Sequence, residues 1–470
     1  MKHTYAVLAA QGLSVVALVG GIVPLSVAQA QTAPPMNWDG SNVSYGQGAG
    51  QGTTGKSNQA SGKDAGRDVT GNSNIAVGNG AGKEVSTHWN VAIGEGAGSK
   101  VGGKNANQAI GYYAGTNVQG GWNQSFGRSA GQNVTGDYND SVGFWAGTDT
   151  VGSNNASYGT NAGRNVTGSG NTSFGQEAGR NVKGDGNLAL GQNAGQRVEG
   201  NANLAQGKNA GQNVTGSDNM AQGSYAGYGV TGDANTANGL GSGRDVVGNN
   251  NVAQGVGAGS TVQGSDNISI GSNAGRGAVA DRSVAIGSQT VAASDSVAIG
   301  SGATANAANS VALGSGSAAT RGGSEGYAAY ALEGTQSSNG EVNIGGRQLT
   351  GVAAGSEDMD AVNVAQLRAA SQAAETRVGE SLRDLRGDLR SQERKLSGGV
   401  AAAMATAALP QAYLPGRNMV SMAGGTWNGE SGYAVGLSRV SAEGGWVYKV
   451  NATGTSRGDF GAAAGVGYQW

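Results

Sequence analysis

The chain has 470 residues, of which 90 are glycine, while only 13% are charged and 5% aromatic. That leaves too little aliphatic bulk for a string of conventional globular cores and points to a repetitive or disordered chain. Formal net charge is −2 with no basic block, which excludes the electrostatic footprint of nucleic-acid binding or of a polybasic membrane patch. Cysteine is absent, which excludes disulfide scaffolds and thiolate metal sites and suits passage through an oxidising periplasm.

At the N-terminus, Lys2 and His3 precede an apolar run from Leu13 to Val27, interrupted by small residues and Pro24, and Ala28-Gln29-Ala30 offers a small-x-small cleavage site. Residues 1–30 are therefore expected to be a signal peptide, because the run is short for a bilayer span. Residues 31–41 follow as a linker.

Residues 42–316 are repetitive. Gly46, Gly62, Gly78 and Gly94 stand sixteen residues apart, and after one inserted residue the step resumes at Gly111 and runs through Gly191 to Gly287. Four residues before each of these glycines up to Gly271 stands an asparagine, as at Asn74, Asn90 and Asn187, and two before it stands Ala or Ser. The unit reads N-x-[AS]-x-G-x-x-[AS]-G-x-x-V-x-G. Alternation at period two, punctuated by glycine, signals short strands, and sixteen residues suffice for one coil of a β-solenoid. Asn, the small residue and Gly share one face, which implies close approach of another backbone, within the coil or between chains. The intervening positions, such as Ile75 and Val77, are expected to be the apolar filling; Gln206, Gln222, Asn238 and Gln254 break that rule and suggest stacked amides.

From Ser283 the unit becomes Ser-Val-Ala-Ile-Gly, at 283–287 and 296–300, and Ser-Val-Ala-Leu-Gly at 310–314. This wording resembles the head repeats of YadA-like trimeric autotransporter adhesins. The resemblance implies a left-handed parallel β-roll in each chain, with three rolls side by side. After a glycine-rich connection over 317–346, residues 347–367 resemble the family's neck, ending in Val362-Asn363-Val364-Ala365-Gln366-Leu367. The resemblance makes Val362, Asn363, Val364, Gln366 and Leu367 neck and trimerisation residues.

Residues 368–409 are expected to form a coiled-coil stalk that ends in a pore helix. Val378 closes one run of 3-4 spacing, and Leu382, Leu385, Leu389 and Leu396 carry the next after a stutter. From Gly398 to Ala408 the helix is almost all Ala and Gly, as a helix inside a narrow pore requires, before Pro410 and Pro415 end it.

Residues 410–470 hold four alternating segments, near 417–428, 432–441, 444–454 and 459–470. Trp446, Tyr448, Phe460, Val466, Tyr468 and Trp470 occupy the face expected to meet lipid. Four strands cannot close a barrel, and open edges are forbidden in a bilayer. Two chains would give a tight eight strands and three a roomier twelve; the family resemblance selects three. The fold class expected is mostly β: a β-roll head, a trimeric coiled-coil stalk and a twelve-stranded transmembrane barrel shared by three chains. In the family this anchor exports and holds the passenger, and the terminal aromatic, here Trp470, is part of the signal read by the barrel assembly machinery.

Other motifs carry little. Beyond residue 30, His88 is the only histidine, which leaves Ser-His-Asp chemistry and histidine metal sites without material. Gly50-Gln51-Gly52-Thr53-Thr54-Gly55 matches a nucleotide-loop pattern, but no helix is expected after it. Arg457-Gly458-Asp459 reads as a turn and Arg386-Gly387-Asp388 as part of the stalk. Asp137, Asp185 and Asp233 sit in repeat turns whose spacing is not that of calcium-binding repeats. No catalytic, cofactor or metal site is expected, and no nucleic-acid partner. The function expected is adhesion by an outer-membrane homotrimer on the surface of a Gram-negative bacterium, to host extracellular matrix, a host-cell receptor or other bacteria. A passive spacer or biofilm scaffold is the alternative; a polysaccharide-active solenoid enzyme fits less well.

Overall fold

A computed structural model describes residues 36–38 and 41–470; the expected signal peptide, residues 1–30, and residues 31–35, 39 and 40 of the linker lie outside the described residues. The chain divides into two compact units, Met1–Arg347 and Gln348–Trp470.

The first unit is a β-solenoid. Three-residue strands recur at the expected positions, from Val43–Tyr45 and Gln59–Ser61 to Val311–Leu313, and pair in parallel, so that Ile75 faces Val91 and Leu188 faces Leu204. A second parallel column follows the repeat valine, as at Val166–Thr167, Val182–Lys183, Val198–Glu199 and Val214–Thr215. Where the repeat shortens, this column becomes Val291–Ala292, Thr304–Ala305 and Ala318–Ala319. Met36–Trp38 lies antiparallel on Val43–Tyr45 at one end, and Val342–Asn343 extends the first column at the other.

The expected assignment of faces is reversed. In each strand the central Ala or Ser is buried and the flanking Val, Ile, Leu, Phe or Tyr points outward, as in Ile75–Val77 and Ile268–Ile270. The interior is filled by two columns of alanines, exemplified by Ala189 with Ala194, and by the repeat valines from Val69 to Val262. The reason is distance: a Cβ built on Gly82 would stand 2.8 Å from the Cβ of Ala76, so opposite walls of one coil already touch through their smallest side chains. The close approach inferred from the small-residue face therefore lies within the coil.

Asparagines hold the corner. Asn155 donates through Nδ2 to Asn139 Oδ1 (3.0 Å) and to the Gly168 carbonyl (2.9 Å), while its Oδ1 accepts from the backbone N–H of Asn171 (3.0 Å). Each rung thus satisfies a buried backbone donor of the next, which is why the position tolerates so little variation.

The second unit has a single helix, Val364–Ala407. Asn363 caps it: its side chain accepts from Gln366 N (3.0 Å) while Gln366 Oε1 accepts from Asn363 N (3.3 Å), a reciprocal capping box. Four antiparallel strands follow as a meander, Asn418–Trp427, Glu430–Val440, Trp446–Thr455 and Phe460–Tyr468. The last turns of the helix bury Ser397, Gly398, Ala401, Ala402 and Ala405. Gly432 faces them so closely that a Cβ there would lie 2.2 Å from Ala402 N.

Candidate functional site

The two outer faces of a head coil differ in chemistry. Outside the first strand column stand Ile75, Val77, Ile93, Ile110, Val142, Phe174 and Val252, all exposed. Outside the second stand Thr167, Lys183, Glu199 and Thr215, with Lys183 Nζ paired to Glu199 Oε1 at 2.6 Å. The second wall is therefore mostly polar, with Val151, Val247 and Val279 exposed in the same column, and the first is a mostly apolar strip of three-residue strands left without a partner in a single chain. Gln206, Gln222, Asn238 and Gln254 interrupt that strip; Gln222 Nε2 reaches Gln206 Oε1 at 3.3 Å, the one amide contact within the set. The head residues singled out by sequence, Asn74, Gly78, Asn90, Gly94, Asn187 and Gly191, all serve the coil itself. The asparagines are buried in the ladder, and the glycines adopt φ near +128 where the next coil's backbone crosses.

The turn acids are spent on backbone. Asp137 accepts from Gly121 N (2.9 Å), Asp185 from Ser169 N (2.7 Å) and Asp233 from Ser217 N (2.7 Å), and Ser153, Asn201 and Asn249 serve as acceptors in the same column. The Lys104 ammonium hydrogen-bonded to Asp137 holds that carboxyl below its usual range. Arg282, bidentate to Asp295 at 2.6 and 2.8 Å, does the same there. Asp140, on the apolar strip, goes the other way: burial pushes its carboxyl up, opposed by a hydrogen bond from Tyr158. His88 accepts from Asn72 N at its Nδ1 (2.7 Å), another rung of the turn column. Among the described residues no cluster of three His, Cys, Asp or Glu could hold a metal ion.

Of the residues expected to form the neck, Asn363 and Gln366 make their bonds within one chain. Besides capping the helix, Gln366 accepts from Gly355 N (3.0 Å) and donates to Gly355 O (2.8 Å), folding the preceding loop back on the helix start. Val362, Val364 and Leu367 are exposed beside them. Along the helix, Val378, Leu382, Leu385, Leu389 and Leu396 are 50–72% exposed, an apolar stripe with nothing against it in a single chain.

The anchor sheet has two unlike faces. Trp446, Tyr448, Phe460, Val466 and Tyr468 point away from the helix together with Tyr433, Val435 and Leu437. Trp446 meets Tyr468 at 5.0 Å and Tyr448 at 6.5 Å, and Tyr468 meets Trp470 at 6.5 Å, an aromatic cluster at one end of the sheet. The opposite face carries Gly432, Ala434 and Gly436 against the helix, and Lys449 Nζ donates to the Leu409 carbonyl (3.1 Å) there. Arg457 is held by Glu430, its Nε 3.0 Å from both carboxylate oxygens, so Arg457-Gly458-Asp459 offers no free arginine. The first and fourth strands each leave one edge unpaired. Among the described residues no helix is long and apolar enough to cross a membrane.

Sequence comparison agrees with this geometry. Residues 348–388 match the coiled stalk of trimeric autotransporter adhesins and residues 410–470 the YadA-like membrane anchor domain. The chain is similar to the autotransporter adhesin EhaG of Escherichia coli O157:H7, at 45% identity over 128 residues, which is 27% of this chain and 8% of that protein. It is also similar to the autotransporter adhesin NhhA of Neisseria meningitidis serogroup B, at 43% identity over 135 residues, 27% of this chain and 21% of that protein. The matched stretches thus span less than a quarter of either relative. Residues 348–388 and 410–470 are thus similar to the stalk and to the membrane anchor of trimeric autotransporter adhesins.

Proposed function

We propose that three copies of this chain assemble into one outer-membrane adhesin. Twelve strands close a barrel around three small-residue helices, the leucine stripes form the stalk core, and the apolar strips of the heads face one another as left-handed rolls. The observation that carries this reading is the anchor sheet with its two open edges. In lipid every backbone group must be paired, so a four-stranded sheet with an apolar outer face needs neighbours to complete its wall. Residues 1–30 direct export to the periplasm, the barrel assembly machinery inserts the anchor, and the anchor passes the head to the surface. There, three copies of a many-coiled surface turn weak contacts with host matrix, host cells or other bacteria into avidity.

The chain's lack of cysteine makes the test clean. Ala464→Cys in the fourth strand is combined with single cysteines scanned through 418–427 in the first. Oxidation is expected to give a covalent trimer at one register and no covalent species beyond trimer; crosslinks that stop at dimer, or none at all, overturn the assembly. Deleting 42–316 while keeping the anchor separates adhesin from spacer. Attachment to matrix, cells or sister bacteria is expected to fall to the level of a strain without the protein.

A further inference from the structure

One stretch of the head departs from its own repeat. The residue after the strand-ending glycine is polar or small in many coils, as at Gln47, Asn79, Gln176 and Ser272, but three consecutive coils place Tyr112, Arg128 and Phe144 there. The guanidinium carbon of Arg128 lies 5.5 Å from the Tyr112 ring centre and 5.3 Å from that of Phe144. Trp145 stacks on Phe144 at 4.7 Å, and Arg164 lies 5.3 Å over Trp145. Ten aromatic side chains fall between Trp89 and Phe174 and only two in residues 175–320, so the cluster is local and not a property of the coil.

Both arginines are unspent. Arg67, Arg180, Arg244 and Arg282 are each paired with an acid, whereas Arg128 and Arg164 make no ion pair and donate no side-chain hydrogen bond among the described residues. The Nε of Arg164 is buried without a partner. Aromatic rings on both sides of Arg128 fix its position and leave its planar fork of donors for an outside acceptor. A fork of this kind matches a carboxylate bidentately, and exposed ring faces take the C–H faces of sugars. Two guanidinium groups without a wider basic patch suit separate carboxylates and not a densely charged polyanion.

We propose that Tyr112, Arg128, Phe144, Trp145 and Arg164 form a binding site for carboxylate-bearing saccharides. This rests on the adhesin reading and supplies its ligand class. The cluster occupies the turn beside the apolar strip, not the strip itself.

The test uses the full-length trimer in mild detergent on surfaces coated with polygalacturonate, with a sialyllactose conjugate, or with dextran. Retention is expected on at least one carboxylated surface and not on dextran, and which surface retains it tells a uronate chain from a terminal sialate. Arg128→Gln is expected to cut retention at least about tenfold, as loss of a charge-assisted bidentate pair does, with Arg128→Lys recovering only part. Trimer migration and melting should stay unchanged. Equal retention on dextran, or retention indifferent to both Arg128→Gln and Arg164→Gln, overturns the proposal. So does loss of the trimer in Arg128→Gln, which would assign the cluster to a contact between copies. Absence of retention on every surface, with cell attachment still dependent on residues 42–316, overturns the saccharide site and leaves adhesion standing.

Discussion

Asn155 does the work of a backbone group. Replacing it with Ala removes the acceptor of the buried Asn171 N–H and the donor to the part-buried Gly168 carbonyl. One buried and one part-buried group left unsatisfied cost about 2–4 kcal/mol together. Asp185→Ala removes an acceptor from an exposed turn, and the freed Ser169 N–H finds water, so its expected cost is under about 1 kcal/mol. Denaturant midpoints of the two variants, followed by circular dichroism, check the contrast. Asp140 supplies a pH test. Its folded carboxyl is pushed up by burial, so folding is penalised when the group is ionised, above its raised folded value, and carries no penalty below the ordinary aspartate value. Asp140→Asn should therefore raise the melting temperature at pH 7, and the gain should shrink as pH falls toward about 4. A gain that grows at low pH would contradict the assignment. Residue identities of this kind were legible in part. The repeated Asn was read as part of a face of close approach and not as the hydrogen-bonded ladder it forms, and the Arg128 cluster was not seen, because Tyr112, Arg128 and Phe144 stand sixteen residues apart and form no local string. Reading down the columns of the aligned repeat, and not along the chain, would have shown Tyr112, Arg128 and Phe144 in one line.

At the level of elements, the sixteen-residue step placed each strand because the glycine that follows it sits where no side chain fits. Gly127 has φ +128, and a Cβ on it would lie 2.6 Å from the Gly143 carbonyl oxygen; Gly80 has φ +64 and nothing within 4 Å of that point. Gly80→Ala should cost about 1 kcal/mol, the strain of a left-handed alanine, and Gly127→Ala distinctly more, because strain and collision add. Thermal melts of the two variants side by side measure the difference. The same alternation that located the strands could not say which face was inside. A period of two is symmetric, and bulky against small residues reads as filling against contact until the opposite wall is known. Here that wall is the alanine of the same coil, such as Ala81 beside Ala76, which leaves room for nothing larger. In the anchor the strand limits agreed with expectation to within about two residues, because the outward alternation of Trp446, Tyr448 and Val450 admits no other register.

For the molecule as a whole, each of its two units leaves an apolar face unfinished: the outer strip of the head, and the leucine stripe and outer sheet face of the stalk and anchor. Helix and anchor strands were readable because their signals are local strings; counting alone left two and three chains both open, and the choice of three came from the family resemblance. The unpaired edges of the anchor sheet bear on inheritance as well as assembly. If every wall is built jointly, a gene copy with a damaged edge strand spoils the products of an intact one. With both expressed equally in one cell, only about one assembly in eight escapes the faulty partner. Merodiploid strains should therefore show the defect as dominant, an outcome no self-sufficient barrel would produce.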